Sequence, residues 1–217
     1  MISLTSSMIQ SLVNDIKYNL LPNLNVVSIN PHDPVVIYTL PSPWKLIGTG
    51  NYAAVLSHPR FPDLVVKIYA PGRPGIEEEI EVYRHLGEHP AFSQCLYAEA
   101  PFLILKRING ITLYDCVHTG ILIPEQVILD VDDALQYAKK RGLRPHDVHG
   151  RNVMLAHGRG VVVDVSDFLH HGSSKKIWND LRWAYYAIYQ PIIVRYSWCI
   201  PYSVLNFVRK CYQWLRR

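Results

Sequence analysis

The 217-residue chain is poor in charge: Asp, Glu, Lys and Arg make up 18%, against 49% hydrophobic residues. That shortage excludes wholesale disorder, since so apolar a chain can bury enough surface to offset its ordering entropy. Charge of one sign is scarce too. The formal net charge of +4 suits anionic ligands, but the dense basic patch of a nucleic-acid binder is missing, so no nucleic-acid partner is expected. Cysteine is sparse: Cys95, Cys116, Cys199 and Cys211 stand far apart with no Cys-x-x-Cys pair. Free thiols in a reducing cytoplasm are the simplest account. His170-His171 beside Gly172 reads as a loop rather than a zinc site. No apolar stretch approaches the ~20 residues of a membrane span. No secretory pattern is expected either, because Asn14, Asp15 and Lys17 interrupt the first apolar residues.

The most informative stretch is residues 145–166. Asp147 is followed five positions later by Asn152, then by the apolar run Val153-Met154-Leu155 and a His-Gly-Arg-Gly turn. A second run, Val161-Val162-Val163, ends at Asp164. Two short apolar runs around a glycine-containing turn predict a hairpin of buried strands. Such a hairpin brings Asn152 and Asp164 together, with Asp147 on the loop leading in. A carboxylate beside an amide offers hard oxygen ligands suited to Mg²⁺, which keeps waters and takes substrate phosphates. A third acid can orient a hydroxyl and accept its proton. Phosphoryl transfer needs that equipment. A polar turn capped by Asp and Asn between core strands is the plainer alternative.

Upstream, Leu4, Met8, Leu12, Ile16 and Leu20 recur every four residues and predict an amphipathic helix over 4–21, ended by Leu21-Pro22. Val35–Tyr38 reads as a strand within an Asn- and Pro-rich stretch. Gly48-Thr49-Gly50 then lies between two strand-like runs, where the absence of Cβ atoms lets the backbone approach a phosphate, although ordinary hairpins use the same pattern. Leu64-Val65-Val66-Lys67-Ile68-Tyr69 places a lysine within an apolar strand. On an edge strand it would face water. In a buried strand it needs an anionic partner. The acidic helix that follows supplies candidates: Ile76, Ile80, Tyr83 and Leu86 form its apolar stripe, and Glu79 adjoins that stripe, while Glu77, Glu78 and Glu81 face solvent.

Residues 101–108 predict another strand, and 124–142 a long helix with Pro124 in its first turn and Gly142 at its end. Residues 177–190 predict an aromatic helix. In the tail, 191–217, Val204, Phe207, Val208, Cys211, Tyr212 and Leu215 share one face, with Arg209, Lys210, Arg216 and Arg217 around it. Core packing is the expected use of that face, and weak association with a membrane surface the alternative.

Taken in order, these pieces resemble the protein-kinase-like superfamily from about residue 46 to about 190, and specifically its small, minimal and atypical bacterial serine/threonine kinases. The resemblance implies an α+β, two-lobe fold: a helical extension (1–34), an antiparallel N-lobe with one helix (35–108) and a compact, mainly helical C-lobe (109–217), with ATP in the cleft. By it, Ile47, Gly48, Gly50 and Val55 cover the nucleotide, with Ala53 at the third glycine position. Lys67 binds phosphates and pairs with Glu79. Leu105 precedes the hinge, where backbone groups of Lys106 and Ile108 hold the adenine. Asp147 is the catalytic base, and Asn152 and Asp164 hold Mg²⁺.

The departures matter as well. Pro145-His146-Asp147 lacks the arginine that reads a phosphorylated activation loop, and Asp164-Val165-Ser166 loses the usual phenylalanine and glycine. His149 stands where protein kinases carry lysine, as in small-molecule phosphotransferases. A full activation segment, with its Ala-Pro-Glu, is missing. The implied activity is ATP- and Mg²⁺-dependent transfer to a hydroxyl, a protein Ser/Thr foremost. A small-molecule acceptor and a catalytically idle binding module are the alternatives.

Overall fold

Apolar residues at every fourth position wind the first segment into a helix, α1 (Ser6–Asp15), continued by a π-helical turn at Ile16–Leu20 and a 3-10 turn at Leu21–Asn23. Pro22 sits in that last turn, where its missing N–H costs little. The computed structural model describes residues 6–169, 177–196 and 198–215. Leu4, His170, His171, Gly172, Arg216 and Arg217, named above, lie outside the described residues. The chain divides into two units, Met1–Gly87 with Ser93–Arg107, and Glu88–Phe92 with Ile108–Arg217.

In the first unit, β1 (Asn25–Val27) and β2 (Val36–Thr39) form a two-stranded antiparallel sheet. Next come β3 (Lys45–Thr49), β4 (Ala53–Ser57), β5 (Leu64–Tyr69), α2 (Ile76–Leu86), β6 (Cys95–Glu99) and β7 (Phe102–Lys106). The five strands make one antiparallel sheet in the order β3-β4-β5-β7-β6. Alternation along the strands separates two faces. Leu56, Leu64, Val66, Ile68, Phe102 and Ile104 lie on one, packed with Leu12, Val13, Ile16 and Leu20 of the first helix. Each of these four is at most 2% exposed, and full burial of such a side chain is worth roughly 1.5–3 kcal/mol. The helix is thereby part of this unit's core.

The second unit carries β8 (Ile111–Thr112), α3 (Leu113–Thr119), α4 (Glu125–Lys140), β9 (Val153–Ala156) and β10 (Arg159–Val162). Thr112 caps α3, its Oγ1 accepting from the Asp115 N–H at 3.1 Å. The expected hairpin is β9–β10, turning through His157 and Gly158, both at positive φ, as a two-residue turn requires. Its β10 strand lies on α4 so closely that a Cβ at Gly160 would meet the Val127 carbonyl oxygen at 2.5 Å. Asp130 of α4 fastens it further, accepting from Arg159 at 2.8 and 2.6 Å and from the Gly160 N–H at 2.9 Å.

Two expectations change here. The aromatic helix, α5 (Ile177–Ala184), does not stop before Pro191 but continues as a π-helical stretch through Tyr185–Val194. The last helix, α6 (Tyr202–Leu215), buries its apolar face only in part: Cys211 and Tyr212 are half-buried, whereas Val204 is 46% exposed, Phe207 67% and Val208 57%. It also packs by polar side chains.

Candidate functional site

Strand β5 points Lys67 to the sheet face opposite α1, and the first turn of α2 presents Glu79 to it. The Lys67 ammonium donates to Glu79 Oε1 at 2.9 Å and lies 2.9 Å from Oε2. Glu79 is fully buried and Lys67 nearly so. Opposite charges so placed offset much of the cost of taking each other out of water. Tyr69, two residues along the same face, adds a hydroxyl donated to Glu79 Oε2 at 2.5 Å. Sequence reasoning missed that group, although the i, i+2 spacing from Lys67 was the available signal. Burial, then the nearby Glu79 charge, pushes the Cys95 thiol up to about 11.

Register aligns the other first-unit candidates with this pair. Gly48 stands opposite Val55, Val55 opposite Lys67 and Lys67 opposite Leu103. Directly opposed residues share a face, and so does Leu105 two positions on. Ile47 is the extra residue of a bulge between Leu46 and Gly48, and half exposed. A Cβ at Gly48 would meet nothing within 4 Å. The Gly50 N–H donates to the Ala53 carbonyl at 2.9 Å. At Lys106 the N–H donates to Gln94 at 2.9 Å and the carbonyl accepts from Ser93 Oγ at 3.0 Å. A carbonyl has a second lone pair, so Lys106 retains one acceptor site but no free donor.

In the second unit the loop 145–152 is pinned by buried Val148, and the stretch after β10 by buried Val165 and Phe168. The Arg144 N–H donates to the Phe168 carbonyl at 2.8 Å. Asp147 has φ of 53°, a left-handed conformation that Asp tolerates better than most residues. Its carbonyl accepts from the Asn152 side-chain amide at 3.1 Å. The Val163 N–H donates to the Asn152 carbonyl at 2.9 Å, extending the hairpin pairing to the residue before Asp164. Asp164 Oδ1 accepts from the Ser166 N–H at 3.2 Å. His149 Nε2 lies 3.7 Å from Asp147 Oδ2, both side chains about one-third exposed.

The same loop holds a cluster that sequence reasoning did not find. The Arg151 guanidinium stacks 4.2 Å from the Tyr114 ring centroid and donates to Asn206 Oδ1 at 3.0 Å, which also accepts from the Tyr114 hydroxyl at 2.8 Å. These residues, with Thr112, Asp115 and Tyr202, line an open depression of about 430 Å³. Asn206 is 55 residues from Arg151, and no spacing rule links such distant positions.

The chain matches no family model. It is 32% identical over 114 residues to a Bacillus subtilis protein named Putative serine/threonine-protein kinase YrzF, covering 52% of this chain and 53% of that one. It is also 31% identical over 67 residues to serine/threonine-protein kinase PknB of Mycolicibacterium smegmatis, covering 29% of this chain and 11% of PknB. The chain thus spans about half the length, or less, of these curated relatives. Among solved structures, the Mycobacterium tuberculosis PknI kinase domain aligns with TM-score 0.45 at 21% identity, covering 56% of each chain. The similarity to YrzF, with the order of the elements described above, gives the chain a protein-kinase-like α+β fold.

Proposed function

We propose that this chain is an ATP- and Mg²⁺-dependent kinase of the cytoplasm that transfers the γ-phosphoryl group to a hydroxyl, with protein serine or threonine as the acceptor. The buried Lys67–Glu79 pair carries the reading. A buried ion pair that only filled the core could be replaced as a pair by apolar residues at little cost, whereas a lysine held between both carboxylate oxygens presents a fixed cation to phosphates. Gly48, Val55 and Leu105 share its face, and the open space at Gly48 is what backbone approach to a phosphate requires. Ile47 and Gly50 complete the cover. Ile108 supplies the donor for the adenine edge, with the Lys106 carbonyl as acceptor.

Asp164 and Asn152 fit Mg²⁺. Among the described residues no group of three or more His, Cys, Asp or Glu gathers to hold a metal. One carboxylate and one amide oxygen are the sparse donor set that suits an ion retaining waters and taking phosphate oxygens. Asn152 spends its NH₂ on the Asp147 carbonyl, which leaves its Oδ1 for the metal. Bound Mg²⁺ supplies charge neutralisation on the phosphates. Asp147, held by the Asn152 bond, orients the acceptor hydroxyl and takes its proton. His149, beside Asp147 where protein kinases carry lysine, supports a second reading, a small-molecule alcohol as acceptor.

The test is transfer from γ-labelled ATP with Mg²⁺, comparing the wild type with Asp147→Asn and Asp164→Ala. We expect each variant to lose at least about 100-fold, the scale of a general base or metal contact. Full activity in both would sink the assignment. Label moving to sugar, aminoglycoside or choline-like alcohols, and not to protein, would select the second reading.

A further inference from the structure

Helix α6 is attached by its polar side. Its Asn206 accepts from Tyr114 and Arg151, and its Tyr202 hydroxyl donates to Asp115 Oδ1 at 2.8 Å. Most of the apolar stripe is left outside: Val204, Phe207, Val208 and Trp214 are 46, 67, 57 and 75% exposed, with Cys211 between them half-buried. At helical spacing these four occupy one sector roughly 120° wide, the sector a globular helix ordinarily turns inward.

The surroundings say what covers it. Four of the five tryptophans fall after residue 177, and besides Trp214 both Trp183 and Trp198 are more than half exposed. Indole rings with one wet edge favour the boundary between water and hydrocarbon. Between residues 177 and 215 the sole acid is Asp180, against Arg182, Arg195, Arg209 and Lys210. Asp180 accepts from Tyr212, and Arg182 is paired with Asp132. Arg209 and Lys210 are exposed and, among the described residues, have no acidic partner. The helix has 14 residues and no acid, too short to span a bilayer. Self-association along the stripe would crowd two sets of cations with no carboxylate between them. An anionic surface answers both properties at once.

We infer that α6 is a peripheral membrane-docking helix, which lays Phe207, Trp214 and their neighbours into the interface of an anionic bilayer, with Lys210 and Arg209 on lipid phosphates. This does not depend on the phosphotransfer reading. The test is co-sedimentation of the full chain with vesicles of phosphatidylcholine alone and of phosphatidylcholine mixed with phosphatidylglycerol. We expect binding to the mixed vesicles, a blue shift of tryptophan emission, and release as salt rises. Phe207→Ser with Trp214→Ser should weaken partitioning at least about tenfold without altering the melting curve, because both side chains are exposed. Lys210→Glu should weaken binding to the mixed vesicles specifically. A chain that stays in the supernatant with mixed vesicles overturns the inference. So does a concentration-dependent dimer, by light scattering, that Phe207→Ser with Trp214→Ser abolishes, since the stripe would then belong to a second copy.

Discussion

Lys67 and Glu79 form a buried pair in which Glu79 is shut off from water and Lys67 nearly so. Removing one partner therefore costs more than the bond itself is worth. Lys67→Met deprives the buried Glu79 carboxylate of its cation and should destabilise the fold by about 3 kcal/mol, the lower end of the range for a broken buried pair. Urea unfolding would show the midpoint falling. An unchanged midpoint would mean that the pair is hydrated. At Asp130, contact with Arg159, helped by the Gly160 N–H and Gln126, holds the carboxyl down to about 2 from an ordinary 3.8. A depressed folded-state value stabilises above 3.8 and loses that contribution as pH falls from 3.8 towards 2. Asp130→Asn should cost about 1–2 kcal/mol at neutral pH, allowing for the solvent that screens the exposed Arg159. The gap between variant and wild type should close across that acid window in a stability-versus-pH series. Lys67 and Glu79 were legible in sequence because a charge in an apolar strand and an acid beside a helical stripe both demand explanation. Tyr69 was not, since an aromatic in a strand demands none.

Elements were legible where one periodicity ran unbroken. The α2 stripe and the β9–β10 hairpin fall where the apolar pattern puts them. The use of a face was harder to read. An amphipathic pattern tells which residues share a side, not how far that side is buried, and α6 leaves Val204, Phe207 and Val208 exposed. Pro191 did not end its helix because a π-helical stretch shifts the bonding that a proline would otherwise break. Packing of β10 on α4 also left no trace in the pattern, since it rests on a glycine. A methyl at Gly160 would sit 2.5 Å from the backbone oxygen of Val127, and no rotamer can relieve a backbone contact. Gly160→Ala should destabilise by roughly 1–3 kcal/mol. It should also depress phosphate transfer, because the Val163–Asn152 bond that positions Asp164 lies at the end of the same hairpin. A variant with wild-type melting and activity would show that the strand can lift from the helix freely.

At the scale of the whole molecule, the candidate groups divide between the two units: Gly48, Val55, Lys67 and Glu79 belong to the first, and Asp147, Asn152 and Asp164 to the second. No helix among the described residues is long and apolar enough to cross a membrane. The proposed function requires groups of both units to act on the same nucleotide. A ligand that binds only the folded state raises its stability by RT ln(1 + [L]/Kd), about 2.7 kcal/mol at a hundredfold excess over Kd. Mg-ATP should therefore raise the melting temperature of the wild type by several degrees. Asp164→Ala and Lys67→Met should each remove most of that rise, measured against each variant's own melting point without ligand. The decisive comparison is the double variant. If one nucleotide uses both sets of groups, the first substitution already abolishes tight binding and the second has little left to remove, so the losses fall short of adding. Additive losses, half from each variant, would instead mean two independent anion sites, and the kinase reading would fail even though each unit binds phosphate by itself.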